Sequence, residues 1–115
     1  MKNRGFEGLV VWQRARELAV SVYRQTATFP AHEQYNLASQ MRRAATSVMS
    51  NIAEGHGRDT PKDFVRFLYM SRGSLMELRS CLILAEDLGY SVGQHDAYVG
   101  RWTQPAKCLT GLLRS

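Results

Sequence analysis

Cysteine is scarce in this chain, with only Cys81 and Cys108 among 115 residues. Two thiols so far apart make neither a disulfide framework nor a zinc site, and both read as free in a reducing cytoplasm. Long apolar runs are missing as well. No stretch approaches the ~18 residues that a membrane span needs. The opening Met1-Lys2-Asn3-Arg4 leads into Gly5-Phe6-Glu7-Gly8 without the apolar core of a secretion signal. Strand-like alternation, internal repeats and low-complexity tracts are lacking too, which argues against a β or fibrous architecture.

Patterns that carry chemistry are equally sparse. His32, His56 and His95 are scattered, and no Glu-x-x-His pair occurs of the kind that lines a bundle metal site. Cys81 has no evident histidine partner to make it a nucleophile. A phosphate loop would need a glycine-rich run ending in Gly-Lys-Ser/Thr, and none is present. The sequence therefore predicts a protein that is not an enzyme and holds neither metal nor cofactor.

What is present is a balance suited to a folded domain: 44% hydrophobic and 22% charged residues. The net charge is +5, and arginine supplies most of the basic side, since Lys2, Lys62 and Lys107 are the only lysines. Residues 1–30 carry about +3, residues 31–90 balance, and residues 91–115 carry about +2. First and last helices are neighbours in an up-down bundle, so this spacing gathers the excess on one side.

Four amphipathic stretches stand out. Val11, Ala15, Leu18 and Val22 recur at helical spacing and predict a helix over 9–28, ended by Phe29-Pro30. A second helix, 36–54, starts at Asn36 as N-cap and buries Leu37, Met41, Ala44, Ala45, Val48 and Ile52. Its many small residues let a neighbour come close, and Gly55 and Gly57 are placed to end it. Thr60-Pro61-Lys62-Asp63 reads as cap, first-turn proline and acid for a third helix, 60–88, stopped at Gly89-Tyr90. A fourth, 94–113, follows Val99, Trp102, Ala106, Leu109 and Leu112, with a kink or break expected near Pro105. The prediction is a single all-α domain, an up-down-up-down antiparallel four-helix bundle.

The run Gln40-Met41-Arg42-Arg43-Ala44-Ala45-Thr46-Ser47-Val48-Met49-Ser50-Asn51-Ile52-Ala53-Glu54-Gly55-His56-Gly57-Arg58 resembles the signature of the small bundle proteins encoded in intervening sequences of bacterial 23S rRNA genes. Val10-Val11-Trp12-Gln13-Arg14-Ala15, Phe29-Pro30, Asp63-Phe64-Val65-Arg66-Phe67-Leu68 and Gly73-Ser74-Leu75-Met76-Glu77-Leu78 extend the likeness as far as Tyr90. That family is similar to the accessory variability determinant of diversity-generating retroelements, a basic bundle working with a reverse transcriptase and RNA. The resemblance implies no enzymatic activity and a homo-oligomer, a ring of five bundles.

Two residue sets are candidate sites. Arg42, Arg43, Asn51, Glu54 and Arg58 are polar members of the signature. They read either as an anion or RNA contact beside the Gly55-His56-Gly57 turn, or as a packing seam. Arg43, Ser47, Asn51 and Glu54 share one helical face, which favours a seam between helices or subunits. Arg14, Arg16, Arg24, Arg101 and Arg114, with Lys2, Arg4 and Lys107, form a candidate basic surface with no aromatics visibly interleaved for base stacking. The expected function is that of an oligomeric interaction module in the cytoplasm, meeting RNA, DNA or a nucleic-acid-processing partner. The alternative is a purely structural or regulatory assembly with no nucleic acid.

Overall fold

The computed structural model describes the backbone of residues 5–90 and 95–114, and the side chains of 5–90 and 104–113. Four helices carry the architecture: α1 (Val10–Thr26), α2 (Leu37–His56), α3 (Pro61–Asp87) and α4 (His95–Arg114). Turns of 3₁₀ helix lie at Gly5–Gly8 and Ala31–Glu33, and no strand occurs among the described residues. Each helix packs on the next and α4 closes back onto α1, while among the described residues the diagonal pairs α1/α3 and α2/α4 show no close backbone approach. Short connections between neighbours make this the antiparallel up-down-up-down bundle predicted from periodicity.

α3 shows how local residues set an element. The Thr60 hydroxyl accepts the Asp63 backbone N–H at 3.1 Å, and Pro61 opens the first turn without wasting a donor. The helix stops at Gly89, whose φ of +80° is available to glycine at little cost. There the Gly89 N–H bonds the Glu86 carbonyl and the Tyr90 N–H bonds the Ala85 carbonyl, both at 3.0 Å. Between those ends run 27 helical residues, ~40 Å at 1.5 Å per residue, which sets the molecule's 43 Å length.

The core is one continuous column. Leu18 and Val22 of α1, Met41, Val48 and Ile52 of α2, Leu68 and Leu78 of α3 and Leu109 of α4 are fully buried within it. α2 meets α3 through small residues, and Gly55 marks the closest approach. A methyl group built on Gly55 would stand 2.5 Å from the Phe67 Cβ. This corrects the expected role of that glycine: α2 continues through it to His56, and Gly55 is there for close contact rather than termination. Gly57 is likewise no left-handed stop, with a φ of −82°.

Three further expectations change. α1 ends at Thr26, because the Thr28 and Phe29 N–H groups turn back onto the carbonyls of Gln25 and Thr26 before the proline is reached. Asn36 precedes α2 without capping it. Glu33 takes that role, its Oε1 accepting the Leu37 N–H at 3.4 Å. α4 runs on through Pro105 with no break, and the proline ring is fully buried on the same face as Leu109. A proline's φ is already helical, so burying the ring toward the core offsets the lost backbone bond.

Gly55→Ala is expected to destabilise the fold by about 1–3 kcal/mol, because Phe67 must be displaced. A Gly57→Ala control should shift urea unfolding by a few tenths of a kcal/mol at most, since its nearest neighbours are ordinary contacts.

Candidate basic face and its supporting network

The α1–α2 connection is held by side chains as well as by its own backbone turns. Buried Thr26 donates its hydroxyl to the Val22 carbonyl at 2.7 Å and accepts Arg42 Nε at 2.9 Å. Arg42 Nη2 donates to Gln34 Oε1 at 2.7 Å, and Gln34 Nε2 donates to the carbonyls of Thr26 (2.9 Å) and Phe29 (3.0 Å). The carbonyls left unpaired by the end of α1 thus gain donors from the far side of the turn. The Arg42 guanidinium also lies 5.8 Å from the centre of the Tyr23 ring. Arg42 is therefore a strut, with its planar fork engaged on two sides.

Glu33 is the second element of this network. Glu33 is 8% exposed, and its Oε2 accepts the Tyr90 hydroxyl at 2.6 Å. Tyr90 follows the end of α3, and its ring rests 5.1 Å from that of Phe29. The Tyr90 hydrogen bond, stronger than the opposing effect of burial, holds Glu33 below the ordinary glutamate value. The same bond, with burial and the nearby negative charge, raises the Tyr90 hydroxyl above the ordinary tyrosine value. Thr26, Glu33, Gln34 and Tyr90 escaped sequence reasoning. One signal was available: Glu33 is the only acid between Glu17 and Glu54.

The signature face of α2 divides in two. Ser47 bridges two helices, its Oγ meeting Ser74 Oγ at 2.8 Å, while Asn51 Nδ2 donates within α2 to the Ser47 carbonyl and hydroxyl at 2.9 and 3.1 Å. One turn deeper, Ser71 Oγ donates to the Val48 carbonyl at 2.7 Å. Arg43 instead stands exposed, touching only Ser39 Oγ at 3.2 Å. Glu54 pairs with Arg58 at 3.0 Å on the surface. Arg58 also reaches Asp63 at 3.7 Å, and the guanidinium groups of Arg58 and Arg66 lie 4.8 and 4.6 Å from the Phe67 ring centre. The turn at 55–57 offers no cradle of free amides, because the N–H groups of Gly57 and Arg58 bond the carbonyls of Glu54 and Gly55.

The second set is also sorted by its surroundings. Arg14 pairs with Glu17 at 3.3 Å, and Arg16 covers the Trp12 ring at 5.1 Å. Arg24, exposed in the last turn of α1, has no ion pair among the described residues. The side chains of Arg101 and Arg114, and all of Lys2 and Arg4, lie outside the described residues. Lys107 is exposed on α4. Arg16 and Arg24 line one surface groove of α1 together with the exposed Glu17, and Arg43 stands exposed on α2. Over residues 18–53 the only carboxylate, Glu33, is buried.

Among the described residues no cluster of His, Cys, Asp and Glu could hold a metal ion, and no helix is long and apolar enough to cross a membrane. Burial, with Glu77 nearby, pushes the Cys81 thiol up, and its Sγ lies 3.6 Å from Gln40 Oε1.

The profile of the 23S rRNA-intervening sequence protein family matches residues 7–109, spanning three of the helices whole and most of α4. The chain belongs to this family. The solved structure of an S23 ribosomal protein family member from Bacteroides thetaiotaomicron, described as a protein with unknown function, superposes with a TM-score of 0.74. The two share 21% identity over 91% of this chain and 96% of that one, a likeness that establishes the common fold. No curated protein matches the chain. In this family member the signature segment builds both the α2–α3 seam and the strut beneath the basic face.

Replacing Arg42 with Met should destabilise the protein by about 1–3 kcal/mol, since Gln34 and Thr26 lose a charged donor; thermal unfolding checks it. The Glu33–Tyr90 bond has a defined pH signature. A lowered carboxyl value means its contribution is complete above the ordinary glutamate value of 4.5 and is lost as pH falls through the lowered one. Tyr90→Phe should therefore destabilise at neutral pH and flatten the acid limb of the stability profile; an acid limb as steep as the native one would contradict this.

Proposed function

We propose that this 23S rRNA-intervening sequence protein is a non-enzymatic, cytoplasmic interaction module that binds nucleic acid through the outer face of α1 and α2. The supporting observation is the absence of any exposed acid over residues 18–53, where Arg24 and Arg43 project without ion pairs. An unneutralised cation on a surface gains most from a phosphate, by releasing the counterions condensed there. The chain's net +5 and pI near 9.6 favour the same partner. Arg42, occupied by Gln34 and Thr26, holds the face in shape and is not counted among the contacts. The two free cysteines suit a reducing compartment.

Self-association is part of the proposal. Val65, Tyr69, Met76 and Ile83 stand exposed on the side of α3 away from the core, spaced four, seven and seven residues apart. Such a stripe suits a second copy of the chain, and a ring of five is the assembly that the resemblance implies. Repeating the α1–α2 face around a ring would multiply its charge. The same stripe favours the second reading, a structural assembly that binds no nucleic acid.

Binding of labelled RNA and DNA at ~50 mM salt separates the two, because phosphate-driven affinity is strong there and falls steeply as salt rises. The proposal expects salt-dependent binding that Arg24→Glu with Arg43→Glu abolishes and that Arg79→Glu, on α3, retains. Unchanged binding in the double variant removes this face from the function. Light scattering of Met76→Glu with Ile83→Glu should report a smaller particle than the native protein.

A further inference from the structure

Two tyrosines on this face are exposed in a way that packing does not explain. Tyr35 is 97% exposed at the turn leading into α2, and Tyr23 is 48% exposed on α1. Neither ring stacks on another aromatic, and neither hydroxyl has a hydrogen-bond partner among the described residues. A side chain of this size contributes to folding only when buried, so Tyr35 adds nothing to the core. Both rings belong to one connected set. The Arg42 guanidinium lies against Tyr23 and bonds Gln34, the residue before Tyr35. Arg24 and Arg43, exposed and without an ion pair among the described residues, are next to Tyr23 and Arg42 in sequence. The α1–α2 turn thus brings Tyr23, Arg42 and the segment that carries Tyr35 to one end of the helix pair.

We infer that the nucleic acid taken by this face is single-stranded, with bases stacking on Tyr35 and Tyr23 while Arg24 and Arg43 contact the phosphates between them. The inference rests on the nucleic-acid reading proposed above and narrows it to one class of ligand. A duplex keeps its bases stacked on each other and offers a flat ring only its ends. An unpaired strand offers a π-face at every base, without regard to sequence. The turn that carries Tyr35 is held by Glu33, Gln34 and Arg42, so little conformational freedom is lost when a base arrives.

The test uses the full chain and two fluorescent probes of about ten nucleotides, an oligouridylate and an RNA duplex of mixed sequence, followed by anisotropy over a salt series. The oligouridylate should bind more tightly than the duplex. Tyr35→Ala should weaken it about tenfold without changing the slope against salt, and Tyr35→Phe should restore it. Arg24→Ala with Arg43→Ala should instead reduce that slope by roughly 1.4, about 0.7 for each lost contact with a single strand. Tyr35 is so exposed that its variants should fold as the native protein does, which circular dichroism checks. Duplex binding at or above that of the oligouridylate overturns the inference. Polyglutamate bound as tightly as the oligouridylate overturns it as well. So does a Tyr35→Ala protein of unchanged affinity whose arginine variants have lost binding, though that result leaves the basic face standing. If neither probe binds in a salt-dependent way, the nucleic-acid reading fails and this inference with it.

Discussion

The close approach of α2 to α3 is the constraint on which the other features depend. With Gly55 against Phe67 and small residues along the same face, the two helices come near enough for Ser47 and Ser74 to bond directly across the seam, with Asn51 supporting Ser47 from within α2. Ser71 reaches a backbone carbonyl of α2 for the same reason. That contact orients α2 about its own axis, and the orientation decides what becomes of its two adjacent arginines. A rotation of about 100° per residue turns Arg42 toward α1 and leaves Arg43 in solvent. Charge on this protein is thus distributed by a packing decision made on the other side of the helix.

Much of the fold was legible because its signals are local. Thr60-Pro61 starts a helix and Gly89 ends one through bonds spanning a few residues, and the apolar stripes repeat at 3.6. Gly55 was misread because a glycine that ends a helix and one that admits a neighbour look alike in sequence. Telling them apart requires knowing where Phe67 lies. Pro105 shows no break in α4, since its cost is local and its compensation, burial beside Leu109, comes from packing.

The site was less legible than the fold. Asn36 has the residue type and position of a cap, yet Glu33 supplies the acceptor from within the preceding 3₁₀ turn. Tyr90, which fixes that carboxylate, lies 57 residues further along the chain, and nothing in periodicity links the two. Grouping arginines by helix predicted a basic stripe in which a salt pair neutralises Arg14 while Arg16 keeps its charge over the Trp12 ring. Arg24 and Arg43, exposed without an ion pair among the described residues, come from different helices. The signature segment includes both the strut and the seam, yet of the face Arg43, Ser47, Asn51 and Glu54 expected to form the seam, Ser47 is the residue that bonds α3.

The 27–36 connection, ten residues without a regular helix, has the outward form of a loop. Its length is nevertheless fixed at both ends by named acceptors: Gln34 must reach the carbonyls of Thr26 and Phe29 while Glu33 reaches Leu37 and Tyr90. One inserted residue would displace all of these together and uncover the end of α1. The length of a surface connection is then constrained as strictly as that of a core helix.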